Sequence, residues 1–181
     1  MADIKPIRFG LIGCSSIARR RFAPAVTKSS FASLERIGSR DVTKAEQFAR
    51  ELGAPKWGTY EDVMTDPNVD AVYISTPPAL HESWVRLAAE HGKHILCEKA
   101  AFSDYRTAVA MAELCRRLKV HLMEGYVFGY HPQHAMHSRV PSAREERMPA
   151  ASLEEAVRQC CIHYRNCLPP SDNPSRIFAT I

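Results

Sequence analysis

The sequence has no apolar run of about 18 residues, the length a membrane-crossing helix needs, so no transmembrane segment and no membrane partner are expected. Its first residues, "MADIKPIRF", lack the apolar stretch of a secretory signal. No Cys-x-x-Cys occurs among its six cysteines. Cys14, Cys97 and Cys115 stand in apolar or small-residue surroundings, as reduced core cysteines do. A reducing, cytoplasmic setting is expected. Cys160, Cys161 and Cys167 with His163 come nearest to a metal-ligand set. Their spacing fits no common zinc pattern, and neighbouring cysteines do not easily aim both thiols at one ion, so no metal site is expected. There is no long Lys/Arg block, and the net charge is only +4. Arg19-Arg20-Arg21, the densest basic run, reads as a solvated helix face, and no nucleic-acid partner is expected. All eight glycines lie before residue 130, and none follows. That absence divides the chain.

What is present before the division alternates between strands and helices. "IRFGLIG" reads as an apolar strand ending at Gly13, with Ser16 as cap of a helix through "IARRRFAPAVTKS" that Pro24 kinks or shortens. "LERIGS" is a second strand. "VTKAEQFAREL" is a helix capped by Asp41 or Thr43 and stopped by Gly53. "YEDVMTD" gives one or two helical turns, and "DAVYIST" is apolar enough to be covered on both faces. A helix through "LHESWVRLAAEH", the strand "HILCE", a helix after Ser103 as cap, and the strand "VHLMEG" complete the pattern. Such alternation over short connections predicts an α/β fold: a doubly wound, Rossmann-type parallel sheet over residues 1–125. Residues 126–181 are polar and proline-interrupted, and are expected to be a partial or poorly ordered start of a second α/β domain.

Ligands of doubly wound sheets bind outside the carboxyl ends of the strands, and the informative residues end the apolar runs. Gly13, Ser15 and Ala18 occupy the positions of a Gly-x-Gly-x-x-Gly/Ala fingerprint, with Ser15 in place of its second glycine. The turn and the helix start at Ser16 and Ile17 make an anion cradle; an ordinary strand-to-helix turn is the alternative. After the second strand, an acidic residue would hold the ribose hydroxyls of NAD. Ser39 and Arg40 stand there instead and suit a 2′-phosphate, which favours NADP(H) over NAD(H). Pro77 and Pro78 fix the backbone beside the cleft, where Ser75, Thr76 and Pro77 are expected to bind the cofactor, and His81 opens the next helix. A histidine there is more often a surface or capping residue, and it lines the cofactor only together with its neighbours. Glu98 and Lys99 end the strand "HILC". A lysine desolvated in a cleft can handle protons; a solvated loop lysine is the alternative.

The stretches "RFGLIGCSSIARR", "DAVYISTPPALHESWVRLAAEHGKHILCEK" and "LMEGYVFGYHPQH" resemble the glucose–fructose oxidoreductase/inositol dehydrogenase (Gfo/Idh/MocA) family of NAD(P)-dependent oxidoreductases. Within it they look most like the sugar dehydrogenases and nucleotide-sugar 3-ketoreductases. The resemblance implies that Lys99 sits by the nicotinamide and the substrate carbonyl as the catalytic residue. It implies that Glu98 lines the nicotinamide ribose, and that Lys99, Tyr126 and His131 face a sugar or nucleotide-sugar substrate. A homo-oligomer is implied where the full second domain is present. Three features depart from the family. Ala100 stands in place of the proline after the lysine, which leaves that loop less rigid. The arginine common before His-Pro is absent from "FGYHPQ". The glycine-rich stretch and the acid–base residues of the second domain are missing, so cofactor binding with little or no turnover is expected of these 181 residues. A non-catalytic nucleotide-binding fragment or partner subunit is the rival reading.

Overall fold

The computed structural model describes residues 5–126, within which Pro6–Gly125 forms one compact unit. The readings made for 126–181 therefore lie outside the described residues beyond Tyr126, as do His131, His163 and the three later cysteines.

Six strands form one parallel sheet in the order β3-β2-β1-β4-β5-β6. They are β1 (Ile7–Ile12), β2 (Ala32–Gly38), β3 (Lys56–Gly58), β4 (Ala71–Ile74), β5 (His94–Cys97) and β6 (Leu122–Glu124). This is the doubly wound Rossmann arrangement, whose order reverses between β1 and β4. The helices are α1 (Ala23–Lys28), α2 (Val42–Leu52), α3 (Tyr60–Thr65), α4 (His81–Glu90) and α5 (Tyr105–Arg117). All four residues of β4 are buried, as its continuous apolar run requires. On one face, Ile12, Val63, Val72, Ile74, Val85, Ile95, Met111 and Leu114 share a single core. On the other, Phe22 meets Phe9 edge-on at 5.4 Å and stacks on Tyr73 at 3.9 Å.

The first helix departs from its expected form. A π-helical turn, Ala18–Phe22, precedes α1. Pro24 lacks an N–H and its ring would crowd the carbonyl four residues back. The wider turn opens that spacing, so the chain stays helical through the proline. The cap is Ser15 rather than Ser16, because its Oγ accepts from the N–H of Ala18 at 3.1 Å. Asp41, not Thr43, caps α2, accepting from Lys44 N at 3.2 Å. Likewise Asp104, not Ser103, caps α5, accepting from Thr107 N at 2.9 Å. Arg19 is not simply solvated: it lies 4.8 Å from the ring centre of Phe48 and pairs with Glu51 at 2.8 Å. Cys97 and Cys115 are buried free thiols, whereas Cys14 is only half-buried.

The amino edge of the sheet holds a histidine pair. His94 and His121 lie with ring centres 4.5 Å apart, and His94 Nδ1 accepts from the N–H of His121 at 3.1 Å. Burial lowers both, each to about 4, and His94 adds to the depression of His121. An unfolded histidine titrates near 6.5. The unfolded chain therefore binds more protons between pH 6.5 and 4, and stability falls as pH drops through that window. Above pH 7 this contribution is complete. Asp66, held near 2 because its Asn68 N–H and Arg36 contacts outweigh burial, acts only below the histidine window. Urea unfolding is expected to show up to ~5 kcal/mol less stability at pH 4.5 than at pH 7.5, about half from each histidine. Equal stability at the two pH values would overturn the assignment.

Candidate active site at the carboxyl edge

The site is built from the ends of five strands, β1, β2, β4, β5 and β6. Gly13 ends β1 with φ +100°, a conformation that suits glycine. A Cβ there would lie 3.2 Å from Thr76 Cγ2 and 3.3 Å from Thr76 N, so the turn lies tight against the end of β4. Ser75 secures the same junction, its N–H donating to Ile12 O and its Oγ to Gly13 O, both at 2.9 Å. The Ser15 hydroxyl accepts from Ala18 and keeps its own hydrogen for an outside acceptor. Ser16 and Ile17 are exposed at the helix start, where first-turn N–H groups have no helical partner. Arg20 reaches back over this turn and donates to Ser16 Oγ at 3.1 Å.

At the end of β2, Ser39 is buried while Arg40 is exposed, and Arg40 makes no ion pair among the described residues. Ser39 N donates to Gly58 O, and Ser39 Oγ accepts from Asp41 N at 3.2 Å. Asp41 is thereby committed to capping α2. A phosphate fits this set: a hydroxyl and an unneutralised guanidinium, with the nearest carboxylate engaged in a helix cap.

Pro77 leads into a 3₁₀ turn, Pro78–Leu80, and then α4. His81 is neither a surface nor a capping residue; it is fully buried. Its Nδ1 faces the carbonyl oxygen of Ala100 at 3.0 Å and its Nε2 that of Thr76 at 2.8 Å. A neutral ring donates to one of these and an imidazolium to both. The ring therefore bridges the end of β4 and the loop after β5. Thr76 Oγ1 is buried and has no hydrogen-bond partner among the described residues.

Glu98 and Lys99 follow β5. Tyr73 donates its phenolic hydrogen to Glu98 Oε1, and Glu98 Oε2 accepts from Lys99 N at 3.2 Å. Burial and the Glu98 carboxylate hold the Tyr73 phenol well above its usual range, so it stays a donor. Lys99 is exposed, so the described residues do not provide the desolvation that a cleft lysine would have. The loop is also better held than its alanine suggests. Besides His81 on Ala100 O, Glu124 Oε1 at the end of β6 accepts from Ala101 N at 2.8 Å. Tyr126 follows β6 and is half-exposed. Neither Tyr73 nor Glu124 is among the residues singled out from sequence, although Glu124, like Glu98, is a carboxylate ending an apolar run. Among the described residues no cluster could hold a metal ion.

A parallel 3-2-1-4-5-6 sheet with a glycine turn, a ribose-end pair and a lysine loop on one edge defines a dinucleotide-binding domain of an oxidoreductase type. Residues 7–126 match the oxidoreductase family with an NAD-binding Rossmann fold, Gfo/Idh/MocA. The chain belongs to that family. It is 35% identical over 130 residues to dTDP-3,4-didehydro-2,6-dideoxy-alpha-D-glucose 3-reductase of Saccharopolyspora spinosa, covering 72% of this chain and 39% of the relative. It is 39% identical over 125 residues to D-xylose 1-dehydrogenase (NADP(+)) 2 of Haloferax volcanii, covering 68% and 38%. The crystal structure of KijD10, a 3-ketoreductase from Actinomadura kijaniata in complex with NADP and TDP-benzene, superposes with a TM-score of 0.72 at 35% identity. That match covers 74% of this chain and 41% of that one. The chain thus spans about two fifths of the length of the curated relatives it matches. No helix among the described residues is long and apolar enough to cross a membrane.

Proposed function

We propose that this chain binds NADP(H) in preference to NAD(H). The bound cofactor serves hydride transfer to or from a sugar, a nucleotide sugar or a related polyol or ketone. The observation that carries the reading is the set of residues at the carboxyl edge. Ser39–Arg40, the Gly13–Ile17 turn and Glu98–Lys99 follow β2, β1 and β5 of one sheet, a spatial order that suits a dinucleotide laid across its carboxyl edge. The names of the relatives support it, since one is an NADP(+) enzyme and another was solved with NADP.

In this reading the Ser15 hydroxyl and the N–H groups of Ser16 and Ile17 hold the pyrophosphate, against Gly13. Ser39 and Arg40 hold the 2′-phosphate. Ser75, Thr76 and Pro77 wall the cleft, and His81 sets their backbone. Glu98, its carboxylate oriented by Tyr73, takes a ribose hydroxyl. The nicotinamide, when bound, gives or accepts the hydride. Lys99 donates a hydrogen bond to the reacting sugar oxygen and gives or takes its proton, a role typically contributing ~10²–10⁴-fold to rate. Residues 1–125 are the cofactor domain and 126–181 the start of a substrate domain, with Tyr126 and His131 on the substrate side. A cytoplasmic setting and a homo-oligomer built on the second domain complete the proposal.

Fluorescence titration tests the cofactor preference. NADPH is expected to bind more tightly than NADH. Arg40→Ala is expected to weaken NADPH by roughly 10- to 100-fold, the usual cost of losing a charge-assisted hydrogen bond, while NADH changes little. NADH binding as tightly as NADPH, or an Arg40 variant that weakens both equally, would overturn it.

A further inference from the structure

Lys99 has no side-chain partner among the described residues, so its placement depends on the backbone that carries it. That backbone leaves the end of β5 through Ala100, which has no ring to fix its dihedral angles. Two contacts from outside the loop hold it. His81, fully buried at the start of α4, faces Ala100 O at 3.0 Å. Glu124, the last residue of β6, accepts the Ala101 N–H at 2.8 Å, and Ala101 is itself buried. The two contacts fall on consecutive residues directly after Lys99. They also come from opposite neighbours: α4 follows β4, while β6 is the strand on the far side of β5. Glu124 is in turn held in register, because it pairs with Cys97 and Gly125 N donates to Cys97 O at 2.7 Å.

We infer that Glu124 is a positioning residue for Lys99: its carboxylate fixes the loop at Ala101 and so sets where the ammonium stands at the cofactor's reactive end. His81 is the second anchor of the same loop. The inference rests on the placement of Lys99 given under Proposed function. What Glu124 supplies is an acceptor at a fixed point, so a neutral acceptor of the same length serves as well. A direct charge effect does not share that property.

The test is acetylation of the 181-residue chain by an amine-reactive acetyl ester, with and without NADPH, each lysine read by mass spectrometry. NADPH affinity is measured in parallel by fluorescence. In the parent chain NADPH is expected to slow acetylation of Lys99 by about tenfold and to leave Lys28 unchanged. Glu124→Ala is expected to keep NADPH affinity within about threefold but to lose most of the protection, since one hydrogen bond to a charged group is worth about tenfold or more. Glu124→Gln, whose side-chain oxygen still accepts, is expected to restore it. If the parent chain does not bind NADPH, or binds it without protecting Lys99, the underlying placement is wrong and the inference falls with it. If Lys99 is protected in the parent and equally in Glu124→Ala, the inference alone is overturned. It is overturned too if Glu124→Gln behaves like Glu124→Ala, or if Glu124→Ala fails to fold, since the tie is then electrostatic or structural.

Discussion

Gly10→Ala is expected to destabilise the folded domain by ~2–3 kcal/mol, the upper part of the range for forcing an extra methyl into a filled core. Gly10 lies in β1 under α3. A Cβ there would stand 2.3 Å from Val63 Cγ1 and 3.0 Å from Val69 Cγ1. Val63 is fully buried and β-branched, so it has little rotamer freedom with which to withdraw. The neighbouring strand presents the same helix with the same demand: a Cβ on Gly38 would lie 2.8 Å from Val63 Cγ2 and 2.9 Å from Thr59 O. Two glycines on adjacent strands thus let α3 lie close to the sheet. Thermal unfolding should record a fall of roughly 5–15 °C for Gly10→Ala. Val63→Ala should itself be destabilising through its cavity, but the double variant should be more stable than the sum of the two losses, because the second change removes the clash. A Gly10→Ala domain within about 0.5 kcal/mol of the parent would show that the sheet and helix shift freely.

Strands β1, β4 and β5 were legible because a strand covered on both faces must be apolar throughout, and little else in a short chain is. β3 was missed for the converse reason. It has three residues, Lys56, Trp57 and Gly58, lies at the sheet edge and leaves Trp57 partly exposed, so no run of apolar residues marks it. Caps were placed to within one residue but not always on the right one. Ser15 and Ser16 are chemically alike, and the choice between them was made by the chain path out of Gly13. The cofactor edge could be read because each of its residues ends an apolar run. The support of Lys99 could not be read in the same way. His81 and Glu124 act on Ala100 and Ala101 across 19 and 23 residues of sequence, and Tyr73 reaches Glu98 across 25. Contacts at that separation exist only once the crossovers have set the strand order. Lys99 is the opposite case: its residue type and place at a strand end were informative, while the expected desolvation is not provided by the described residues.

Lys99→Ala is expected to leave NADPH affinity within about threefold and to lower kcat by roughly 10²–10³-fold in any form of the protein that turns over a sugar substrate. Losing one positioned donor to a developing oxyanion typically costs ~3–4 kcal/mol. Binding should survive because the proposed pyrophosphate and 2′-phosphate contacts, Gly13 to Ile17 and Ser39–Arg40, belong to β1 and β2, away from β5. Glu98 keeps its donor from Tyr73 and its contact to the N–H of residue 99, which alanine retains. The loop keeps both anchors, since His81 and Glu124 hold the backbone of Ala100 and Ala101 and not the lysine side chain. What disappears is the ammonium alone. Lys99→Arg separates two explanations of the loss. A guanidinium keeps the charge and donates hydrogen bonds but does not give up a proton in the accessible range. If Lys99 only polarises the reacting oxygen, arginine should recover part of the rate; if it transfers the proton, arginine should be as slow as alanine. A Lys99→Ala enzyme that loses NADPH affinity by 100-fold while retaining its kcat would make Lys99 a cofactor clamp and end the proposal that it is catalytic.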